Sequence, residues 1–170
     1  MSSHLAPLSN EQAGAAAQKL FGAIQAAFKM VPNIFRIMGY SPAVLEHTLG
    51  LNEAIHHDLP ANLRELAYLT ASRINKCGYC EHYHTGFAHK AGLNDTQIKN
   101  IGISPEGFSE VERLVIRFAE EWTKQGKASA EVVQALNKHL SPAQMVVLAA
   151  TCGLANWTNR FNETFDVQLP

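Results

Sequence analysis

The strongest constraint on the fold is a series of helix-start signals that recurs along the chain. In each signal a Ser or Asn stands three residues before a Gln or Glu, so that the two side chains can cap a helix N-terminus reciprocally. The pattern occurs at Ser9/Gln12, Asn94/Gln97, Ser109/Glu112 and Ser141/Gln144, and Ser129 is a further single cap. No strand-like alternation of apolar and polar residues extends beyond a few positions. We therefore predict an all-α fold that forms a single domain over residues 1–170.

The spacing of apolar residues between Gly and Pro breakers predicts where the individual helices lie. Gly78 is expected to separate two adjacent helices, and residues 101–108 form the clearest loop. The predicted helical segments are 12–30, 33–40, 42–57, 61–76, 79–91, 94–100, 110–124, 129–139 and 142–157, with a further short helix over 158–167.

Composition restricts the partners and the compartment. Apolar residues make up 46% of the chain, charged residues 17%, and the net charge is −1. This balance indicates a globular protein and gives no electrostatic reason to expect a nucleic-acid or membrane partner. The start of the chain lacks a signal-peptide pattern, and no apolar run approaches about 18 residues. We therefore expect a cytoplasmic protein, in a reducing compartment where a close Cys pair is more often redox-active or metal-binding than structural.

The candidate site is the segment Cys77-Gly78-Tyr79-Cys80, followed by His84. A thiol reacts as its thiolate, and a free thiol with a pKa of about 8.5 is only slightly ionised at neutral pH. A helix N-terminus, a neighbouring thiol and His84 one turn after Cys80 can all favour the thiolate. Glu65 on the preceding helix either orients His84 through a hydrogen bond or is an ordinary surface glutamate.

The spacing of these residues resembles a family signature. Glu65, eleven intervening residues, Cys77, two residues, Cys80, three residues and His84 together resemble the alkylhydroperoxidase AhpD-like proteins of the carboxymuconolactone decarboxylase superfamily. The resemblance is strongest over residues 60–92. It implies an all-helical, trimeric or hexameric protein with the dithiol at the start of a helix.

The resemblance also implies a thiol-dependent peroxidase. In that interpretation Cys80 attacks a hydroperoxide, Cys77 resolves the sulfenic acid as a Cys77–Cys80 disulfide, and Glu65 with His84 relays protons. A lipoyl-type dithiol or a peroxiredoxin partner would restore the thiols, and no cofactor is implied. Members of the family often have His at the position of Tyr79, so this chain lacks a possible proton donor there. Tyr79 and His82 are candidates for pocket or relay residues.

A weak internal repeat is also present. A shift of 82 residues places Asn159-Arg160-Phe161-Asn162 on Cys77-Gly78-Tyr79-Cys80 and Glu163 on Glu81. The Asn159–Asn162 segment also resembles part of the peroxidase-related members of the group. A repeat whose second copy lost its thiols and a chance match between helices both remain open.

Other interpretations of the Cys pair remain open. Zinc could be held by Cys77, Cys80 and His84, with His82 or His89 as fourth ligand. A redox sensor or scaffold, and a decarboxylase like the superfamily's namesake, are alternative functions. Cys152 lies among small residues on an apolar helix, so we expect a packed core cysteine.

Overall fold

The computed structural model describes residues 3–170, and within them all regular secondary structure is helical. The helices are α1 (Ala15–Phe28), α2 (Asn33–Met38), α3 (Pro42–Ala54), α4 (Ala61–Ile74), α5 (Gly78–Lys90), α6 (Asp95–Asn100), α7 (Glu110–Gln125), α8 (Ala130–Leu136) and α9 (Pro142–Phe165). The all-α prediction is confirmed. Within residues 3–170, no helix combines the length and the apolar character needed to span a membrane.

The predicted caps form, with one difference at the first helix. Reciprocal capping boxes start α6, α7 and α9, and the Ser129 side chain caps α8. Ser9 and Gln12 also make both capping bonds, but they close a turn rather than a helix. Helix α1 begins only at Ala15 because Gly14, with extended backbone, stands at its N-cap position.

Helix α4 lies at the centre of the bundle and packs against α5, α7 and α9. Its residues from Leu63 to Ser72 are buried, on every face of the helix. One side joins the core formed with α7, α8 and the first half of α9. The other side, with Tyr68 and Ala71, joins the core formed with α1, α2 and α3. Glu65 therefore belongs to a helix that is enclosed by protein.

The turn between α4 and α5 differs from the sequence-based expectation. The break is at Lys76, whose φ of 58° is left-handed, whereas Gly78 is already the first residue of α5. The amide of Cys77 donates to the Ser72 carbonyl, and that of Lys76 to the Arg73 carbonyl, which is a Schellman ending of α4. This turn delivers Cys77 directly to the N-cap of α5.

Helix α9 corrects a second expectation. A break near Trp157 and a separate helix over 158–167 were predicted, but α9 runs unbroken to Phe165. The polar side chains near Trp157 do not interrupt α9, because they bond either a carbonyl one turn earlier or a neighbouring helix. Thr158 bonds back to the Leu154 carbonyl, and Asn156 donates to Thr123 of α7. The continuous helix brings Asn162 beside α5.

The packing of α1 against α2 generates a stability prediction at Gly39. A Cβ at this position would lie 2.5 Å from the Phe21 ring and 3.1 Å from the Arg36 carbonyl. Phe21 is only 2% exposed, so its ring has no space to move. We expect Gly39→Ala to lower the free energy of unfolding by about 1–3 kcal/mol, measured by urea denaturation.

Gly50→Ala is the matched control, because Gly50 lies inside α3 and its added Cβ would have no atom within 4 Å beyond the adjacent residues and the local backbone of α3. It should raise the free energy of unfolding by about 0.5–1 kcal/mol through helix propensity. Equal effects of the two substitutions would contradict the packing described for Gly39.

Candidate functional site

The two thiols of the Cys-x-x-Cys segment lie in contact at the start of α5. Cys77 is the N-cap residue, and its sulfur accepts a hydrogen bond from the Cys80 amide at 3.3 Å. The two sulfurs are 2.7 Å apart, and both cysteines are free. The side chains are 1% and 4% exposed, respectively. The prediction of a dithiol at a helix N-terminus is confirmed.

The contact between the two thiols shifts their pKa values in opposite directions. The hydrogen bond from the Cys80 thiol lowers the pKa of Cys77, and the amide of Cys80 at the helix start adds to this effect. The same bond to Cys77, together with burial, raises the pKa of Cys80. The pair therefore loses its first proton more easily than an isolated thiol and holds the second strongly.

Asn162 contacts both sulfurs from α9. Its Nδ2 donates to the Cys80 sulfur at 3.1 Å and lies 3.8 Å from the Cys77 sulfur. The residue is 2% exposed, and its Oδ1 has no hydrogen-bond partner among residues 3–170. Sequence analysis placed Asn162 on Cys80 in the repeat but gave it no role. Its signals were that alignment and the resemblance of the Asn159–Asn162 segment to peroxidase-related proteins, because a contact across 82 residues of chain leaves no local pattern.

Glu65 and His84 form the second part of the site. The Glu65 Oε2 is 2.7 Å from the His84 Nδ1, and the Arg64 Nε is 3.3 Å from the other carboxylate oxygen. Glu65 is 3% exposed, so it is not a surface glutamate. A carboxylate at Nδ1 favours the tautomer whose Nε2 is free to accept a proton.

Aromatic rings fix the orientation of the His84 imidazole. Tyr68 stacks on it, with ring centroids 3.5 Å apart and planes inclined by 12°. Phe87 meets it edge-on at 5.3 Å. The Tyr68 hydroxyl is itself held by Thr158 of α9, and burial raises the pKa of Tyr68, so it stays neutral. The imidazole is therefore held by a carboxylate and by two rings.

A cavity of about 340 Å³ joins the two parts of the site. Cys80, Glu65 and His84 all line it, whereas Cys77 does not. No hydrogen bond joins Cys80 directly to His84 in the described part of the chain, and the two side chains share the wall of the cavity. Six aromatic residues form much of the wall: Phe28, Phe35, Tyr68, Tyr79, Tyr83 and Phe87.

The two further candidates occupy different places. Tyr79 is 8% exposed and lines the cavity, and its hydroxyl accepts a hydrogen bond from the Ile34 amide at 3.3 Å. Burial raises the pKa of Tyr79, so the phenol remains protonated. His82 is exposed, packs edge-on against Tyr83 and is absent from the cavity wall. The structure thus brings Tyr79, but not His82, to the site.

Within residues 3–170, the geometry offers zinc no ligand set. His84 uses its Nδ1 for Glu65, and both His82 and His89 are exposed. Across residues 3–170, no three His, Cys, Asp or Glu side chains are grouped so as to hold a metal ion. Cys152 is fully buried in the α4–α7–α9 core, as expected, and burial raises the pKa of its thiol to about 12.

Comparison with known proteins agrees with this architecture. The model of the carboxymuconolactone decarboxylase family matches residues 42–121, which include Glu65, Cys77, Cys80 and His84. Comparison with curated protein sequences gives no significant match.

Several solved structures share the fold. A peroxidase-related protein with an alkylhydroperoxidase AhpD core from Ralstonia eutropha JMP134 aligns with a TM-score of 0.86 at 16% identity, over 100% of this chain and 93% of its own. A protein of unknown function from Agrobacterium tumefaciens, provisionally assigned to the AhpD antioxidant-defence proteins, gives 0.72 at 25% identity, over 78% and 94%. The debrominase Bmp8 in complex with 2,3,4-tribromopyrrole gives 0.80 at 20% identity, over 96% and 90%.

The buried thiol of Cys152 generates a pH prediction. An unfolded thiol ionises near pH 8.5, whereas the folded Cys152 has a pKa of about 12. Between these values the unfolded state loses a proton that the folded state keeps, so the free energy of unfolding falls as pH rises. Cys152→Ala removes that dependence. The difference in unfolding free energy between wild type and variant should change by about 1.4 kcal/mol per pH unit in this window.

Urea denaturation of both proteins between about pH 9 and pH 11 measures the difference, since contributions from all other groups cancel. Parallel pH curves would contradict the burial of a neutral thiol at Cys152.

Proposed function

We propose, on the premise that the chain belongs to the AhpD-like carboxymuconolactone decarboxylase superfamily, that it reduces organic hydroperoxides with the Cys77–Cys80 dithiol. One observation carries the proposal. The Cys80 thiol lines the same cavity as a histidine whose Nδ1 is held by a buried carboxylate, Glu65. Thiol, base and substrate space therefore adjoin one another.

The first step is oxidation of Cys80. The His84 Nε2 takes up the proton that the Cys80 thiol loses, and the thiolate attacks the terminal oxygen of the hydroperoxide. The O–O bond breaks, Cys80 becomes a sulfenic acid, and the alkoxide leaves. His84 returns the proton to the alkoxide, which departs as the alcohol. Glu65 stabilises the imidazolium that exists between the two proton transfers.

The second step closes the disulfide. Cys77 attacks the Cys80 sulfenic acid, a sulfur–sulfur bond forms, and hydroxide leaves with a proton as water. The sulfurs already lie 2.7 Å apart, so little movement is needed. A dithiol reductant then supplies two electrons and two protons to restore the thiols. A lipoyl-type dithiol or a peroxiredoxin partner fits this requirement.

The two sulfurs have different environments, which supports different roles. Cys80 lines the cavity, whereas Cys77 lies behind it at the helix N-cap, where negative charge is favoured. The lowered pKa of Cys77 means that the first negative charge of the pair rests mainly there. Cys80 must then pass its own proton to Cys77 or to His84 before it attacks. We assign attack to Cys80 because only its side chain lines the substrate space.

The cavity favours organic substrates over hydrogen peroxide. Its volume of about 340 Å³ is within the range of small-molecule sites, which begins at about 300 Å³. The aromatic wall offers apolar surface to the ring or branched alkyl group of an organic hydroperoxide. Hydrogen peroxide has no apolar group that could be buried against this wall.

The aromatic residues that line the cavity also favour a second candidate function, reductive removal of a halogen from an aromatic ring. The dithiol can supply the two electrons that replace a halogen on an aromatic ring by hydrogen, with halide released and the disulfide formed. The ring-lined cavity beside Cys80 favours this reaction, and the debrominase Bmp8 shares the fold. Release of bromide from a bromopyrrole, in place of alcohol from a hydroperoxide, identifies it.

The cellular setting is also proposed. We place the protein in the cytosol, where reductants keep free cysteines such as these three reduced. We further propose a homotrimer or homohexamer. Exposed apolar side chains on and before α3, at Tyr40, Val44 and Leu51, offer a surface for such an assembly. Sedimentation of the purified protein as a monomer would contradict it.

Substitution of the two cysteines tests the assignment of roles. Cys80→Ser should abolish turnover of cumene hydroperoxide with a dithiol reductant. Cys77→Ser should form one sulfenic acid per chain and then stop, as detected by a sulfenate-specific reagent and mass spectrometry. Sulfenate in Cys80→Ser and none in Cys77→Ser would reverse the roles. Full turnover by Cys80→Ser would contradict the mechanism, and a disulfide that forms once without turnover would indicate a sensor.

Comparison of substrates tests the role of the cavity. We expect kcat/KM for cumene hydroperoxide to exceed that for hydrogen peroxide by about ten- to a hundredfold, because burial of one apolar group contributes about 1.5–3 kcal/mol. Phe35→Ala should lower kcat/KM for cumene hydroperoxide and leave that for hydrogen peroxide unchanged, since Phe35 lines the cavity. Equal loss for both peroxides would mean that the wall does not select the substrate.

A further inference from the structure

Asn162 reaches the dithiol from α9, outside the helix that carries the two cysteines. It lies near the C-terminal end of α9, and its Nδ2 is 3.1 Å from the Cys80 sulfur. It also lines the substrate cavity. A position that is 2% exposed and touches the reacting sulfur is more than a packing position.

The orientation of the Asn162 amide is informative because it leaves an acceptor unused. The Nδ2 faces both sulfurs, and the Oδ1 is buried with no donor. A buried acceptor without a partner is costly. Rotation of the amide by about 180° would present Oδ1 to the sulfurs, an arrangement that suits a protonated thiol. The observed orientation suits a negatively charged sulfur.

We propose that Asn162 is a further catalytic residue, whose side-chain N–H stabilises the negative charge on the Cys77–Cys80 sulfur pair. A hydrogen bond to a charged acceptor is stronger than one to a neutral acceptor, and burial strengthens it further. The amide stabilises the thiolate before attack. It also stabilises the reduced pair relative to the disulfide, whose sulfurs carry no charge.

The other groups that face the sulfurs do not replace this donor. Glu65 and Glu163 are acids whose negative charge opposes a thiolate, and Tyr68 and Tyr79 are buried neutral phenols. His84 lines the same cavity and makes no hydrogen bond to either sulfur among the described residues. The remaining donor to the pair is the Cys80 amide, which bonds Cys77. Asn159, one turn before Asn162, also favours ionisation of Cys80, but its Nδ2 donates to the Ser72 hydroxyl. Asn162 is therefore the α9 side chain whose N–H is directed at the Cys80 sulfur.

This inference rests on the thiol chemistry of the proposed function and not on the identity of the oxidant. Its test therefore follows the thiols directly, without turnover. The ultraviolet absorbance of the thiolate is titrated in reduced wild type, Asn162→Ala and Asn162→Asp, with the Cys77→Ser/Cys80→Ser variant as baseline. We expect the first ionisation of the pair to move up by about one pH unit in Asn162→Ala. Asn162→Asp should move it further, since it replaces the donor by a like charge of similar shape.

Asn156→Ala is the matched control, because Asn156 is also buried on α9 but bonds Thr123 and the Cys152 carbonyl instead of the dithiol. Asn156→Ala should leave the pH of the first ionisation of the Cys77–Cys80 pair unchanged. The disulfide should also be harder to reduce in both Asn162 variants, with its equilibrium against glutathione moved about tenfold toward the disulfide.

An unchanged ionisation in Asn162→Ala, or a shift equal to that of Asn156→Ala, would overturn the inference. If Asn162→Ala does not fold, Asn162→Leu, which removes the donor without adding a charge and has a similar volume, gives the same decision through its ionisation and its redox equilibrium. A wild type that ionises as described, depends on Asn162 and yet reduces no hydroperoxide would refute the proposed function and leave the role of Asn162 intact.

Discussion

The site depends on one buried hydrogen bond, between Glu65 on α4 and His84 on α5. A carboxylate that is 3% exposed is tolerated only with partners, and here His84 and Arg64 supply them. The bond ties the central helix to the helix that carries the dithiol. It also fixes which imidazole nitrogen remains free beside the cavity. The packing of α4 against α5 and the proposed proton relay therefore depend on the same hydrogen bond. Its loss would leave the Glu65 carboxylate buried without its histidine partner and would remove one of the contacts that orient the His84 imidazole.

Around this bond the two sulfurs are placed in different surroundings by local backbone geometry. The left-handed Lys76 ends α4 in a Schellman turn, so that Cys77 caps α5 and Cys80 follows within its first turn. The cap position favours negative charge at Cys77, and Cys80 lines the aromatic cavity. A short turn therefore produces a pair whose members differ although they touch.

The parts of this arrangement that were predictable from sequence are those with local signals. Capping pairs such as Ser109 with Glu112 predicted where helices begin, and the spacing of residues from Glu65 to His84 predicted the position of the site. The unbroken α9, the turn at Lys76 and the contact of Asn162 with the dithiol were not predicted. Each depends on residues distant in sequence or on a left-handed residue other than glycine, and such features leave no periodic pattern. The family model matches residues 42–121 and so does not reach Asn162.

The most direct test of the central claim is a single-turnover titration of the reduced protein with one equivalent of cumene hydroperoxide and no reductant. The account predicts one equivalent of cumyl alcohol, a disulfide between Cys77 and Cys80 in peptide mass spectra, and an unmodified Cys152. Unconsumed peroxide, or consumption that leaves both thiols reduced, would contradict it.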